Sequence, residues 1–137
     1  MTSTAVLENI SADVRLLCYK AGAVVDAQAI AENIVAGRVL PDTRALIVYV
    51  PEDASFAMDM LETDHTERLG FASGPEFLAM VVEDVVFRQA SALYFAYHPP
   101  KYRYQVFDSM HPAHAWVDKM LLEAQPVQPG PSRGEGA

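Results

Sequence analysis

The chain has 137 residues, a length that suits one domain and allows a hydrophobic core without disulfides or structural metals. Its single cysteine excludes an intramolecular disulfide and a zinc site built from several cysteines. The formal net charge of -8 disfavours nonspecific binding to nucleic acid or to an anionic membrane surface.

The first segment, residues 1–11, is predicted to be an irregular lead-in. It has no basic stretch followed by an apolar core, so it does not resemble a signal peptide. No run in the chain approaches the roughly 18 consecutive apolar residues that a membrane helix needs. Together with the cysteine content, these features predict a cytoplasmic protein that has no membrane partner.

A strand, a helix and a second strand are predicted next. Residues 14–19 alternate in a way that favours a strand, although their apolar positions also fit helical spacing. Asp26 is a good N-cap for a helix that ends near Gly37. The apolar, β-branched run 45–50 predicts a strand buried on both faces. By the right-handed crossover rule, the two strands are expected to be parallel.

Two helices are predicted in the middle of the chain. Ser55 can cap a helix that runs toward Leu69, although its apolar face is thin. Ser73 and Glu76 form a capping box, and the apolar positions over 77–86 follow at helical spacing. This second helix is predicted to be the main helix of the core.

Two strands, a helix and a tail complete the chain. Alternating residues predict strands over 93–98 and 102–106. Asp108 or Ser109 can cap a last helix, and the Pro- and Gly-rich tail over 126–137 is expected to be disordered. The predicted order is therefore β-α-β-α-α-β-β-α, in one α/β domain over residues 1–125. Such an order predicts a small mixed sheet of about four strands covered by helices.

Acidic residues are concentrated in the segment 52–67. They are Glu52, Asp53, Asp59, Glu62, Asp64 and Glu67. The favoured interpretation is a solvated helix face. The alternative is an acidic inhibitor that imitates nucleic acid and binds a basic partner. His65 lies among these carboxylates and could be a general base, but a surface histidine is the favoured interpretation.

A histidine pair and an aspartate in the last predicted helix could hold a metal. His111, His114 and Asp118 fall at i, i+3 and i+7, so the three side chains would share one helix face. Two imidazoles and a carboxylate can bind a divalent metal. The competing interpretation is a solvated face on which His114 and Asp118 pair one turn apart.

An aromatic and basic segment over 94–104 is the best ligand-site candidate in the sequence. Its members are Tyr94, Tyr97, His98, Lys101, Tyr102, Arg103 and Tyr104. Tyrosines can stack on a ring, and the two cations could meet a phosphate or a carboxylate. The competing interpretation is a strand with half-buried tyrosines and cations on its wet face.

Motifs of several enzyme classes are missing from the sequence. No serine lies in a recognisable nucleophile elbow, because the Gly-x-Ser-x-Gly spacing occurs only at 130–134, in the Pro- and Gly-rich tail. There is also no Walker loop and no Gly-x-Gly-x-x-Gly fingerprint. Cys18 lies among apolar residues and is predicted to be packed rather than reactive. These observations disfavour an enzyme, and no cofactor is predicted.

Two segments resemble known domains. Residues 104–109 (YQVFDS), followed by Ala115-Trp116-Val117, resemble the close of small STAS-like domains. Residues 46–61 are similar to the central strand of that family and its turn into the next helix. The resemblance covers residues 13–124 and implies a small α/β domain that binds a partner protein or a small apolar or anionic ligand.

Two departures from the family pattern bear on what the resemblance implies. Anti-sigma-factor antagonists of the family carry a phosphorylatable serine just after an aspartate in that turn. Here Asp59 is followed by Met60, which puts the phospho-switch in doubt. The family also has a helix between its last two strands, whereas the predicted order leaves only 98–101 to join them.

The leading hypothesis is a non-catalytic regulatory or binding domain. Its predicted contact surfaces are the turn over residues 55–60, which contains Phe56, Met58, Asp59 and Met60, and the neighbouring acidic helix. Exposed apolar side chains in the turn would mark a partner site. Two-fold self-association is a further hypothesis. The rival from another class is a small metal-dependent enzyme or metal-binding protein that uses the two histidines and the aspartate of the last helix.

Overall fold

The computed structural model describes residues 4–38, 44–62, 75–100 and 102–124. None of the helices within these ranges is long and apolar enough to cross a membrane. The elements are β1 (Ala5–Asn9), β2 (Val14–Tyr19), β3 (Val24–Val25), α1 (Ala27–Arg38), β4 (Ala45–Val50), β5 (Ser55–Phe56), α2 (Asp59–Glu62), β6 (Phe77–Val82), α3 (Val85–Tyr97), β7 (Arg103–Phe107) and α4 (Met110–Glu123).

Within the described ranges, the main sheet has five strands in the order β1-β2-β4-β6-β7. β1 runs antiparallel to β2, and every other neighbouring pair in this sheet is parallel. β3 and β5 form a separate two-stranded parallel pair. The predicted α/β class and the parallel pairing of β2 with β4 are confirmed, but the sheet has five strands rather than about four.

Each face of the main sheet carries its own apolar layer, because successive side chains of a strand point to opposite faces. On one face, Val48 and Val50 of β4 pack with Phe87 and Phe95 of α3. On the other face, Ile47 packs in the layer that α4 covers. That second layer contains Ala45, Ile47, Phe77, Ala79, Val81, Ala113, Val117 and Met120. The prediction that residues 45–50 form an interior strand is confirmed.

The helix predicted over residues 77–86 is wrong. Residues 77–82 form β6, which hydrogen-bonds to β4 on one side and to β7 on the other. A strand buried on both faces has a continuous apolar sequence, which periodicity alone cannot distinguish from a buried helix. Of the predicted capping box, Ser73 lies outside the described residues and Glu76 precedes a strand rather than a helix. The Glu76 carboxylate accepts hydrogen bonds of 2.8 and 3.1 Å from the guanidinium of Arg44.

The strand predicted over residues 93–98 is also wrong, because residues 85–97 form α3. Asp84 begins this helix: its backbone is extended and its carboxylate accepts a 2.8 Å hydrogen bond from the backbone N–H of Phe87. Phe87, Ser91 and Phe95 then recur at every fourth position on the buried side. The alternation of aromatic residues that suggested a strand is therefore accidental.

Several smaller expectations have mixed outcomes. The lead-in over residues 1–11 contains β1, so it is not irregular throughout. The helix predicted from Ser55 is replaced by β5 and the single turn α2, and residues 63–74 lie outside the described residues. The strand near 102–106 and the last helix are confirmed as β7 and α4. The tail over 126–137 lies outside the described residues.

The cap at Asp84 can be tested by substitution. Asp84→Ala removes the acceptor of the Phe87 N–H, and we expect it to lower the free energy of unfolding by about 1 kcal/mol. Urea denaturation measures the change. Asp84→Asn, whose side-chain oxygen can accept the same bond, should lose much less, and equal losses for the two variants would contradict a capping role.

Candidate functional site

Helix α3 is held against the sheet by aromatic packing. The ring of Phe87 lies edge-on to Phe56 of β5, with 5.1 Å between the ring centroids. The ring of Phe95 stacks on Tyr104 of β7 at 4.3 Å. Ser91 is buried between them and donates a 3.0 Å hydrogen bond to the carbonyl oxygen of Phe87. These contacts fix which side of α3 faces the core and therefore which side faces solvent.

The outward side of α3 carries no charged residue. Exposed positions along it recur at helical spacing, and we call them the α3 stripe: Val85, Val86, Gln89, Ala92, Leu93, Ala96 and Tyr97. The stripe has four large hydrophobic side chains, and their exposed fractions are 53 % for Val85, 59 % for Val86, 45 % for Leu93 and 69 % for Tyr97. A surface helix of a globular domain usually turns charged and polar residues outward, so this helix has apolar residues on both sides.

Arg88 is the one charged residue within α3, and it does not contribute to the stripe. Its guanidinium turns back to the start of the helix, where one nitrogen donates to the carbonyl oxygens of Val82 at 2.9 Å and Glu83 at 3.4 Å. The cation thus satisfies backbone acceptors at the end of β6, and the exposed stripe has no charge on it.

The predicted contact turn over residues 55–60 is only partly exposed. Met58 is 65 % exposed, as the hypothesis requires, but Met60 is 3 % exposed and belongs to the core. Phe56 is half-buried against Phe87. Asp59 is exposed, and its carboxylate accepts a 3.1 Å hydrogen bond from the backbone N–H of Ala27 at the start of α1. Only Met58 therefore offers a largely free apolar side chain in this turn.

The aromatic and basic segment is divided between the two faces of the sheet. Tyr97 belongs to the α3 stripe, and the half-buried ring of His98 lies with Nε2 3.1 Å from the carbonyl oxygen of Leu61 in α2. Arg103 is exposed, but its guanidinium lies 3.8 Å from the sulfur of Met120 in α4, on the opposite face. Lys101 lies outside the described residues. The structure therefore brings His98 close to α2 but does not bring Arg103 into the same site.

The candidate metal ligands do not form a metal site. His111 and Asp118 are exposed and His114 is half-buried on α4. Within the described residues, which include all three, no group of three or more His, Cys, Asp or Glu side chains is arranged to hold a metal ion. Their helical spacing alone is thus not sufficient to build the site.

The acidic segment is not one helix face. Glu52 and Asp53 are exposed in the turn that follows β4, and the backbone N–H of Glu52 donates a 3.1 Å hydrogen bond to the carboxylate of Glu83. Asp64, His65 and Glu67 lie outside the described residues. Asp59 and Glu62 lie in α2, so the acidic residues that are described are divided between that helix and the turn after β4.

The thiol of Cys18 is in an unreactive environment. The side chain is half-buried on β2, and burial raises the pKa of the thiol, with a further upward contribution from the carboxylate of Glu8. A higher thiol pKa means less thiolate, which is the nucleophilic form. This environment agrees with a packing role for the side chain.

Comparison with known proteins adds no family to this description. No family model, curated protein or solved structure matches the chain significantly. The candidate site therefore stands on its own geometry, which is an apolar helix face next to the short helix α2.

The α3 stripe is not evident from the sequence because the alternation of residues 93–98 favours a strand. The signal was present nevertheless. Asp84 is an N-cap residue followed by thirteen helical residues with a single charge among them. Once the helix is recognised, the positions that point away from Phe87 can be read directly from the sequence, and they are uncharged.

Proposed function

We propose that this chain is a non-catalytic regulatory or binding domain of the cytoplasm that acts through protein–protein contact, with the α3 stripe as its contact surface. The observation that carries the proposal is the absence of charge on a helix face whose large apolar side chains are 45–69 % exposed. Contiguous exposed apolar patches on soluble domains mark interaction sites. Covering these side chains with a partner removes apolar area from water, which is worth about 25 cal/mol per Å².

The exposed residue of the predicted contact turn supports the same surface. Met58 immediately precedes α2, and α2 packs against α3. The imidazole of His98 reinforces this contact through Leu61. Methionine adapts its shape to different neighbours, and it is frequent on binding surfaces. We therefore include Met58 with the α3 stripe in the proposed contact region.

The resemblance to STAS-like domains is part of the proposal, and α3 supports it. That family carries a helix between its last two strands, which the predicted element order lacked. With residues 77–82 as β6, α3 stands between β6 and β7, and the departure disappears. A binding role for the domain is what the resemblance implies.

The phospho-switch of the anti-sigma-factor antagonists is not part of the proposal. The position after Asp59 is Met60, which has no hydroxyl and is 3 % exposed in the core. A kinase could not reach a side chain at that position without unfolding the turn. Any regulation of this domain is therefore expected to act by another route.

Site-specific photocrosslinking in the cells that produce the protein tests the contact surface. A photoreactive phenylalanine analogue at Leu93 is expected to form a covalent adduct with a protein. The matched control is the same analogue at Leu122, a leucine of α4 that is 69 % exposed. The proposal predicts an adduct from Leu93 and none from Leu122. Equal adducts at both positions, or no adduct at Leu93, would reject the α3 stripe as the contact surface.

A further inference from the structure

The charge distribution favours one kind of partner for the α3 stripe. The chain carries a net charge of -8, so most pairs of surfaces on two copies would bring like charges together. The stripe has no charged residue, and the one cation of α3 is bound to backbone carbonyl oxygens. Two copies that meet on this face avoid the repulsion, whereas a strongly charged partner would find no countercharge there.

The one hydrogen-bonding side chain in the middle of the stripe is an amide. Gln89 has both donors and an acceptor, so it can hydrogen-bond to another Gln89 across a two-fold axis. A carboxylate or an ammonium group at this position would instead meet its own like charge, because a two-fold interface brings the same patch from both copies together. The composition of the stripe is thus self-complementary.

Small residues on the α3 stripe allow a second helix to approach α3 closely. Ala92 and Ala96 are both exposed and lie one turn apart on the same side of α3. With methyl groups at these positions, a second helix can approach to the 8–10 Å separation at which helices pack. Leu93 and Val86 then flank the contact with larger apolar side chains.

We infer that the partner of the α3 stripe is a second copy of this chain, docked helix to helix around a two-fold axis near Gln89 and Ala92. This inference rests on the proposed function, and it names the protein that binds the α3 stripe. A helix of 13 residues is only about 20 Å long. Two such helices bury less than the roughly 1,600 Å² of a standard interface, so the dimer is weak and its population depends on concentration.

Sedimentation equilibrium of the full chain, from about 10 µM to about 1 mM, tests the inference over the range that a weak dimer requires. The wild-type chain is expected to self-associate in this range. Ala92→Glu brings two carboxylates to the axis and is expected to weaken association at least tenfold. Ala115→Glu makes the same change at an exposed alanine of α4 and is expected to leave association unchanged. Circular dichroism verifies that both variants are folded.

A second measurement locates the contact directly. In a Cys18→Ala background, Ala92→Cys is expected to give a dimer with a short bismaleimide, whereas Ala115→Cys is expected to give none. A chain that stays monomeric at about 1 mM, or equal weakening by the two glutamate variants, overturns the inference. If such a monomer still crosslinks from Leu93 to another protein, the second copy is rejected and the proposed function stands. If Leu93 gives no adduct either, both are rejected.

Discussion

Replacing Phe87 by alanine is expected to lower the free energy of unfolding by about 3–5 kcal/mol, the range found for large aromatic side chains in cores. Phe87 is 1 % exposed and lies between β5 and the main sheet, with its ring edge-on to Phe56. Deletion of the ring leaves a cavity that the surrounding strands can fill only in part. Since domains of this size are stable by about 5–15 kcal/mol, the variant is expected to lose a large share of its stability. Urea denaturation followed by circular dichroism measures the effect.

Two further variants make the Phe87 result interpretable. Phe87→Leu keeps most of the apolar volume and is expected to fold with a smaller loss, which keeps the effect measurable. Val86→Ala changes the adjacent residue, which is 59 % exposed, and is expected to alter the free energy of unfolding by no more than about 0.5 kcal/mol. If the two alanine variants behaved alike, the orientation of α3 described above would be wrong, and with it the α3 stripe.

Raising the pH from about 9 to about 12 is expected to lower the free energy of unfolding by about 2 kcal/mol through Tyr19 alone. The phenol is 6 % exposed at the end of β2, and burial raises its pKa to about 12. A hydrogen bond with the Asn33 side chain acts in the opposite direction, and the charge of Asp26 adds to the increase. The unfolded phenol titrates near pH 10, and each pKa unit corresponds to about 1.4 kcal/mol. The contribution is therefore intact below about pH 10 and is lost as the pH rises toward the folded pKa.

Tyr19→Phe isolates this effect from other alkaline titrations, including that of Tyr49, whose pKa is also raised by partial burial and by Glu83. The variant has no phenolic proton to lose, so its free energy of unfolding is expected to fall less steeply between about pH 9 and pH 12. At neutral pH it is expected to lose about 1 kcal/mol, because the hydrogen bond with Asn33 is gone. Parallel pH profiles for the two proteins would show that Tyr19 does not titrate as a buried phenol.

The parts of the fold that could be predicted are those with one dominant local signal. Residues 45–50 are apolar throughout and half of them are β-branched, and only a strand buried on both faces suits a run that short. Asp26 is followed by apolar residues at helical spacing, and its carboxylate accepts a 2.8 Å hydrogen bond from the backbone N–H of Ala29, as an N-cap does. In both places the local sequence has no competing interpretation.

Other parts depended on information that a local pattern does not carry. Residues 77–82 fit either a buried helix or a buried strand, and the choice is made by pairing with β4 and β7. β1 has a mixed sequence that forms a strand because β2 offers it an edge. Tertiary pairing overrides local preference in both cases.

The candidate site could be predicted least, because exposure depends on which side of an element faces the core. Met58 and Met60 are two residues apart and chemically identical, yet one is 65 % and the other 3 % exposed. Likewise, Tyr97 and Arg103 are close in sequence but contribute to opposite faces of the sheet. Proximity along the chain suggests that the two residues share a site, but the sheet lies between them.

The strand order has a consequence for how the protein forms as it leaves the ribosome. The parallel strands β2, β4, β6 and β7 lie side by side in the order in which they are synthesised, so no later strand must insert between two earlier ones. Each newly emerged strand can add to the open edge that its predecessor presents, after a crossover that contains a helix. The entropy cost of closing such a connection grows only slowly with its length. The nascent chain can therefore build its sheet progressively from the N-terminal end, and β7 is the last strand to be added.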